Sequence, residues 1–175
     1  MSERIVLITD YTWPSTQPEA EVLAKIGAKP LMAQSGTEEE FLELVPQADA
    51  ILTCFADVTP QVIRAGHKLQ AIGRYGIGVD NIAVDTATSL GIPVTNVPVY
   101  CADEVAEHTL ALLFSSARGV CRYDKAVRLD NWDLETGAPM YRIRGRTLGI
   151  LGFGHIGRTL AFKTQGLGMR VIAHD

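Results

Sequence analysis

Six residues, Gly152, Phe153, Gly154, His155, Ile156 and Gly157, spell G-x-G-x-x-G, and a carboxylate, Asp175, follows 23 residues after the first glycine. The glycine spacing alone says little, so its setting decides the reading. "TLGIL" before it reads as a buried strand, "RTLAFKTQGLG" after it as a helix finishing at glycines, and "MRVIA" as a second strand. The turn therefore opens the helix of one β-α-β unit of 28 residues from Leu148 to Asp175. In that setting Gly152 permits the tight turn, Gly154 lets the backbone approach a pyrophosphate, and Gly157 lets helix and strand pack closely. The unpaired N–H groups and positive dipole end of the helix then hold phosphates. Asp175 would accept hydrogen bonds from ribose hydroxyls and repel a 2′-phosphate, so the pattern predicts NAD rather than NADP.

No other reactive side chains form a comparable constellation. Cys54, Cys101 and Cys121 are odd in number and widely spaced, without a C-x-x-C pair or a histidine at ligand spacing. They read as reduced, mostly buried thiols rather than a disulfide frame, and no metal site is expected. His108 lies on an apolar helical stretch and reads as a core residue rather than a base. His155 lies inside the turn and offers its backbone more than its ring, while His67 and His174 read as surface or strand-end residues.

The elements that must position the glycine turn follow from periodicity. "RIVLITD", "KPLMAQ", "ADAILTC", "LQAIGRYG" and "IPVTNVP" read as strands, separated by helical segments such as "PEAEVLAKIGA", "TEEEFLELVPQ" and "VDTATSLG". "TPQVIRAG" carries a start signal, with Thr59 as N-cap and Pro60 at the first helical position. About five alternations of strand and helix predict an α/β protein with a parallel sheet covered on both faces. From Asp103 to about Leu129 runs a long apolar helix expected to break near Gly119, followed by a polar, turn-rich connection. A domain boundary is therefore expected near residue 100, giving units 1–100 and 101–175.

Composition excludes several classes. Apolar residues make up 47% of the sequence and charged ones 21%, the balance of a chain that buries a core. A formal charge of -4 with no basic stripe argues against nucleic acid as a partner. No window of eighteen uncharged apolar residues and no leader-like N-terminus occur, so no membrane partner and a cytoplasmic location are expected.

With these residues in place, the sequence resembles the D-isomer-specific 2-hydroxyacid dehydrogenases. It is most similar to the branch of the C-terminal-binding-protein corepressors and bacterial relatives often labelled phosphoglycerate dehydrogenase. The matching text is "GRYGIGVDNIAVDTATSLGIPVTNVPVYCADEVAEHTLALL", then "IRGRTLGILGFGHIG" and "VIAHD". The resemblance implies a flavodoxin-like substrate domain, followed by a hinge helix at Asp103 and the first β-α-β unit of an NAD-binding Rossmann domain. It also implies that the backbone amides of Ile77 and Gly78, in the Tyr75-Gly76-Ile77-Gly78 loop, bind the substrate carboxylate. Glycines at 76 and 78 could expose consecutive N–H groups as an anion nest, or could merely turn the chain after a strand. Cys54, Phe55 and Ala56 would line the substrate side. Tyr100 would face the cleft and Val105 would pack against the nicotinamide, and each could equally be ordinary packing.

The family's catalytic Arg, Glu and His follow the second strand of the nucleotide domain, so none is assigned within residues 1–175. The expectation is a segment of a longer NAD-dependent 2-hydroxyacid dehydrogenase that is inactive alone and homodimeric when complete. The alternative is a non-catalytic, NAD-sensing binding module of the corepressor type. Which 2-hydroxy or 2-keto acid is used stays open. A phosphate-bearing substrate would want an arginine near Phe55, and Cys54-Phe55-Ala56 supplies none.

Overall fold

Five short apolar runs become β1 (Arg4–Ile8), β2 (Ala28–Met32), β3 (Ala50–Thr53), β4 (Ala71–Arg74) and β5 (Val94–Thr95). All pair in parallel in one sheet of order β2-β1-β3-β4-β5, the flavodoxin-like order. The computed structural model describes residues 4–175, which form two units, one running to Val99 and the other covering Tyr100–Asp175.

In the first unit, alternation along the strands sorts side chains between two faces. Leu7, Ile51 and Ile72 stand in register across β1, β3 and β4, and all three are fully buried. They form one core with Phe41 of α2 (Glu38–Leu44), Val62 and Ile63 of α3 (Pro60–Ala65) and Ala87 of α4 (Val84–Ser89). Val6, one position out of phase, forms a second cluster with Ala28 and Leu23 of α1 (Gln17–Ala24), with Leu52 packed against it. Helices therefore cover both faces, as parallel strands buried on two sides require.

Local signals explain where the helices begin. Thr59 is extended and its hydroxyl accepts the N–H of Val62, with Pro60 following in the first turn of α3. Thr37 caps α2 in the same way by accepting the N–H of Glu40. The Glu40 carboxylate returns past the cap to accept the N–H groups of Gln34 at 2.6 Å, Ser35 at 2.8 Å and Gly36 at 3.0 Å.

The second unit begins with α5 (Ala102–Arg118) and α6 (Val120–Val127), separated at Gly119, whose φ is +62°. A β-carbon there would also stand 2.7 Å from the carbonyl oxygen of Gly137, so left-handed backbone and close approach both demand glycine. The polar connection is tied to α6, because Arg122 donates to the carbonyls of Ala138 and Pro139 and the Tyr123 hydroxyl to that of Leu134. Strands β6 (Thr147–Leu151) and β7 (Arg170–His174) pair in parallel around α7 (His155–Gln165). Ala106 of α5 is buried with Ile150, Leu160 and Ala161, and Lys163 of α7 bridges Asp103 and Glu107 of α5 at 3.0 and 2.8 Å.

Two expectations are corrected. His108 is exposed rather than in the core, because α5 buries the side carrying Ala106 and Ala117, and two residues further on is the opposite side. Of the three thiols, all free, only Cys54 is buried, while Cys101 is intermediate and Cys121 exposed.

The Glu40 cap has a pH signature. Donation from the Gln34 N–H and the Ser35 hydroxyl holds its carboxyl down at about 2, against an ordinary 4.5. A lowered folded value stabilises fully above about 4.5, and that stabilisation is lost as pH falls toward 2. The expected outcome is that Glu40→Gln lowers the denaturant midpoint at neutral pH, and that the difference from wild type shrinks steadily as pH falls through this window.

Candidate functional site

The second unit holds the glycine turn between β6 and α7, where each glycine has its own physical reason. Gly152 has φ +90°, a conformation that side-chain-bearing residues rarely adopt. A β-carbon on Gly157 would overlap the carbonyl oxygen of Gly152, so the first turn of α7 can lie against β6 only with glycine there. A β-carbon on Gly154 would meet nothing within 4 Å, so the backbone is open to an approaching group on that side. The turn precedes the first residues of α7, His155 and Ile156, whose N–H groups lack intrahelical acceptors by position. The His155 ring is exposed and Phe153 packs against the Ala106 cluster.

Asp175 closes the turn from the neighbouring strand: its Oδ1 accepts the N–H of Phe153 at 3.0 Å. Across the turn, Arg158 Nε donates to the Phe153 carbonyl at 2.8 Å. Val105, in the first turn of α5, and Tyr100, just before that helix, are both exposed.

In the first unit, the loops after β3 and β4 lie side by side because Thr53 pairs with Arg74. Asp10, two residues past β1, accepts the N–H groups of Cys54 at 2.9 Å and Phe55 at 2.7 Å and the Thr9 hydroxyl at 2.9 Å. Burial alone would raise its carboxyl, but these donors outweigh burial and hold it below the ordinary value. The Thr53 hydroxyl and Asn81 Nδ2 donate to the Ala56 carbonyl at 2.9 and 2.8 Å. Ala56 is half-buried and the Phe55 ring exposed.

The Tyr75 N–H donates to the Thr53 carbonyl at 2.9 Å, and its ring meets Trp13 edge-on at 4.7 Å. Burial, then the nearby Glu19 carboxylate, pushes the Tyr75 phenol well above its ordinary value, which keeps it protonated. Beyond it, the Gly76 carbonyl accepts from Val97 N–H and the Ile77 carbonyl from Asn96 Nδ2. The N–H groups of Ile77 and Gly78 have no protein acceptor among the described residues.

Two readings change here. Gly76 and Gly78 do not adopt positive φ, so the loop makes no use of the left-handed freedom of glycine. A β-carbon on Gly76 would displace the end of the flexible Arg74 side chain. The second change concerns charge. Arg74 Nε donates to the Cys54 carbonyl at 3.1 Å, so an arginine does stand beside the Cys54–Ala56 loop. It comes from the neighbouring strand, 20 residues away, where no local pattern could show it, and the argument against a phosphate-bearing substrate falls with it. Asp10, Arg74 and Arg158 are the site residues that sequence reasoning missed. Asp10 alone left a trace, as a carboxylate just past an apolar strand.

Comparisons with known proteins agree with this arrangement. The family profile described as D-isomer specific 2-hydroxyacid dehydrogenase, catalytic domain, matches residues 6–168. A D-3-phosphoglycerate dehydrogenase of Methanocaldococcus jannaschii is 35% identical over 97% of this chain and 32% of its own length. A glyoxylate reductase of Korarchaeum cryptofilum is 36% identical over 79% of the chain and 43% of its own length. The chain thus spans 32% and 43% of the lengths of these two relatives. The crystal structure of D-lactate dehydrogenase from Aquifex aeolicus, complexed with NAD and lactic acid, has the same fold, with TM-score 0.84 at 22% identity over 98% of this chain and 51% of that one. A profile match over most of the sequence and a relative above 30% identity along nearly its whole length lead to one conclusion: the chain belongs to the D-isomer specific 2-hydroxyacid dehydrogenase family.

Proposed function

We propose that this chain is part of an NAD-dependent oxidoreductase that transfers hydride between NAD(H) and a small 2-hydroxy or 2-keto acid. The observation that carries the reading is the glycine turn: Gly152 and Gly157 are demanded by the fold, whereas the space that a side chain on Gly154, the N-cap of α7, would fill is open. Open space beside a helix N-terminus fits the close approach of a pyrophosphate. The NAD complex of the Aquifex aeolicus fold relative supports the same cofactor.

In this reading NAD supplies the hydride acceptor or donor, and the chain's residues bind and orient. The turn from Gly152 to Gly157 holds the pyrophosphate. Asp175 uses Oδ1 on the Phe153 N–H, and its other oxygen is the acceptor we assign to the ribose hydroxyls. Val105 packs on the nicotinamide. The N–H groups of Ile77 and Gly78 receive the substrate carboxylate, and Phe55, Ala56, Tyr75 and Gly76 line its surroundings. No described residue is assigned as the proton donor. The two enzyme relatives are named for a phosphorylated and an unphosphorylated acid, and Arg74 beside the Cys54 carbonyl keeps both within the substrate class.

Two further parts belong to the proposal. The three cysteines are all free, the state expected of thiols in the cytoplasm, where we place the reaction. Leu112, Phe114, Val120 and Val127 of α5 and α6 are exposed, which supports a homodimer of the complete protein built on these helices. Light scattering at micromolar concentration is expected to show a dimer, and a monomer there would remove this part.

The turn makes a paired prediction. Gly154→Ala should cost only about 0.5–1 kcal/mol of stability, the difference between glycine and alanine at an N-cap, and should weaken NAD by about tenfold or more, roughly 1.4 kcal/mol of lost contact. Gly157→Ala should instead destabilise the fold by about 1–3 kcal/mol through overpacking, read by denaturant titration. Equal NAD affinity in Gly154→Ala and wild type would sink the cofactor reading.

Asp175 is tested by a ratio, which cancels any common effect of loosening the turn. Asp175→Ala should reduce the preference for NAD over NADP by about 1–3 kcal/mol, the scale of hydrogen bonds to a charged acceptor. The measurement is the dissociation constant of each dinucleotide, and an unchanged ratio would count against the ribose assignment.

A further inference from the structure

Asp10 holds with its carboxylate a short loop that runs from the buried Cys54 through the exposed Phe55 to the half-buried Ala56. It leaves β1 and accepts the N–H groups of Cys54 and Phe55, which follow the adjacent strand β3. Three further groups hold the same short loop: Arg74 on the Cys54 carbonyl, and the Thr53 hydroxyl and Asn81 amide on that of Ala56. Yet the large side chain in the middle of this lattice, Phe55, is 66% exposed. Ordering exposed backbone costs conformational entropy, and here no burial of the ring offsets it. An over-determined loop around an outward-facing aromatic is what a site needs when a side chain must be presented in one orientation.

We propose that Asp10 is a positioning residue that sets the orientation of the Cys54–Phe55–Ala56 loop and so presents the Phe55 ring to the carbon side of the substrate. The inference rests on the oxidoreductase reading above, and Asp10 acts through Phe55 without touching substrate. The exchange Asp10→Asn isolates the effect. Asparagine has the same shape, but one of its two acceptor oxygens becomes an NH₂ group that opposes one of the two N–H donors. Half of the clamp is released and no cavity is made.

The test is a double-mutant cycle in the complete protein, with NADH and a series of 2-keto acids from glyoxylate to those with apolar side chains. Asp10→Asn is expected to raise the KM for apolar 2-keto acids roughly tenfold or more, the scale at which misplacement of a contact registers, while the KM for NADH stays within about twofold of wild type. In a Phe55→Ala background the same exchange should add less than about twofold, because the group it positions is gone. Amide hydrogen exchange should quicken in the peptide containing Cys54 and Phe55 and stay unchanged in β1. An active wild type in which the two exchanges add independently, or in which Asp10→Asn leaves KM unchanged, would overturn the proposal and leave the oxidoreductase reading standing. A wild type that binds NAD and reduces none of the acids would overturn that reading, and this proposal with it.

Discussion

Where the ladder of a parallel sheet runs out, backbone N–H groups need other acceptors, and in both units an aspartate from the adjacent strand accepts some of them. Asp10, past β1, accepts from Cys54 and Phe55 past β3. Asp175, past β7, accepts from Phe153 past β6. Parallel pairing makes this possible, because it puts the ends of neighbouring strands at the same edge of the sheet. Two of the loops that the functional reading uses are held by these two carboxylates, Asp10 half-buried and Asp175 exposed.

The same edge explains how the first unit gathers polar groups that are far apart in sequence. Registering Thr53 against Arg74 brings the guanidinium to the Cys54 carbonyl and the Tyr75 N–H to the Thr53 carbonyl. A side chain at position 76 would displace the end of the flexible Arg74 side chain, so the glycine there leaves room for the guanidinium. The N–H groups of Ile77 and Gly78 follow it without positive φ, and among the described residues they have no protein acceptor.

The glycine turn of the second unit separates structural from functional demand. Positive φ at Gly152 and the contact of Gly157 with the Gly152 carbonyl are internal needs of a strand-to-helix turn this tight. Gly154 is the N-cap of α7, and no contact within 4 Å demands that it lack a side chain. That open space is where the functional argument begins, and family membership supplies no residue role.

Much of this protein was determined by sequence alone, for local reasons. Strands and helices followed from apolar period, the start of α3 from the hydroxyl of Thr59, the helix break from Gly119, and the glycine turn from glycines set between a strand and a helix. These signals are legible because the interactions behind them span only a few residues. Only tertiary structure decided that His108 faces solvent, that Cys121 is exposed, that Arg74 stands beside Cys54 and that Asp10 holds the Phe55 loop. Each of those depends on which strand pairs with which, or on which side of a helix meets its neighbour. A difference of one residue in a strand, or two in a helix, turns a side chain to the other face, and neither register nor packing direction is written in the local spacing of residue types.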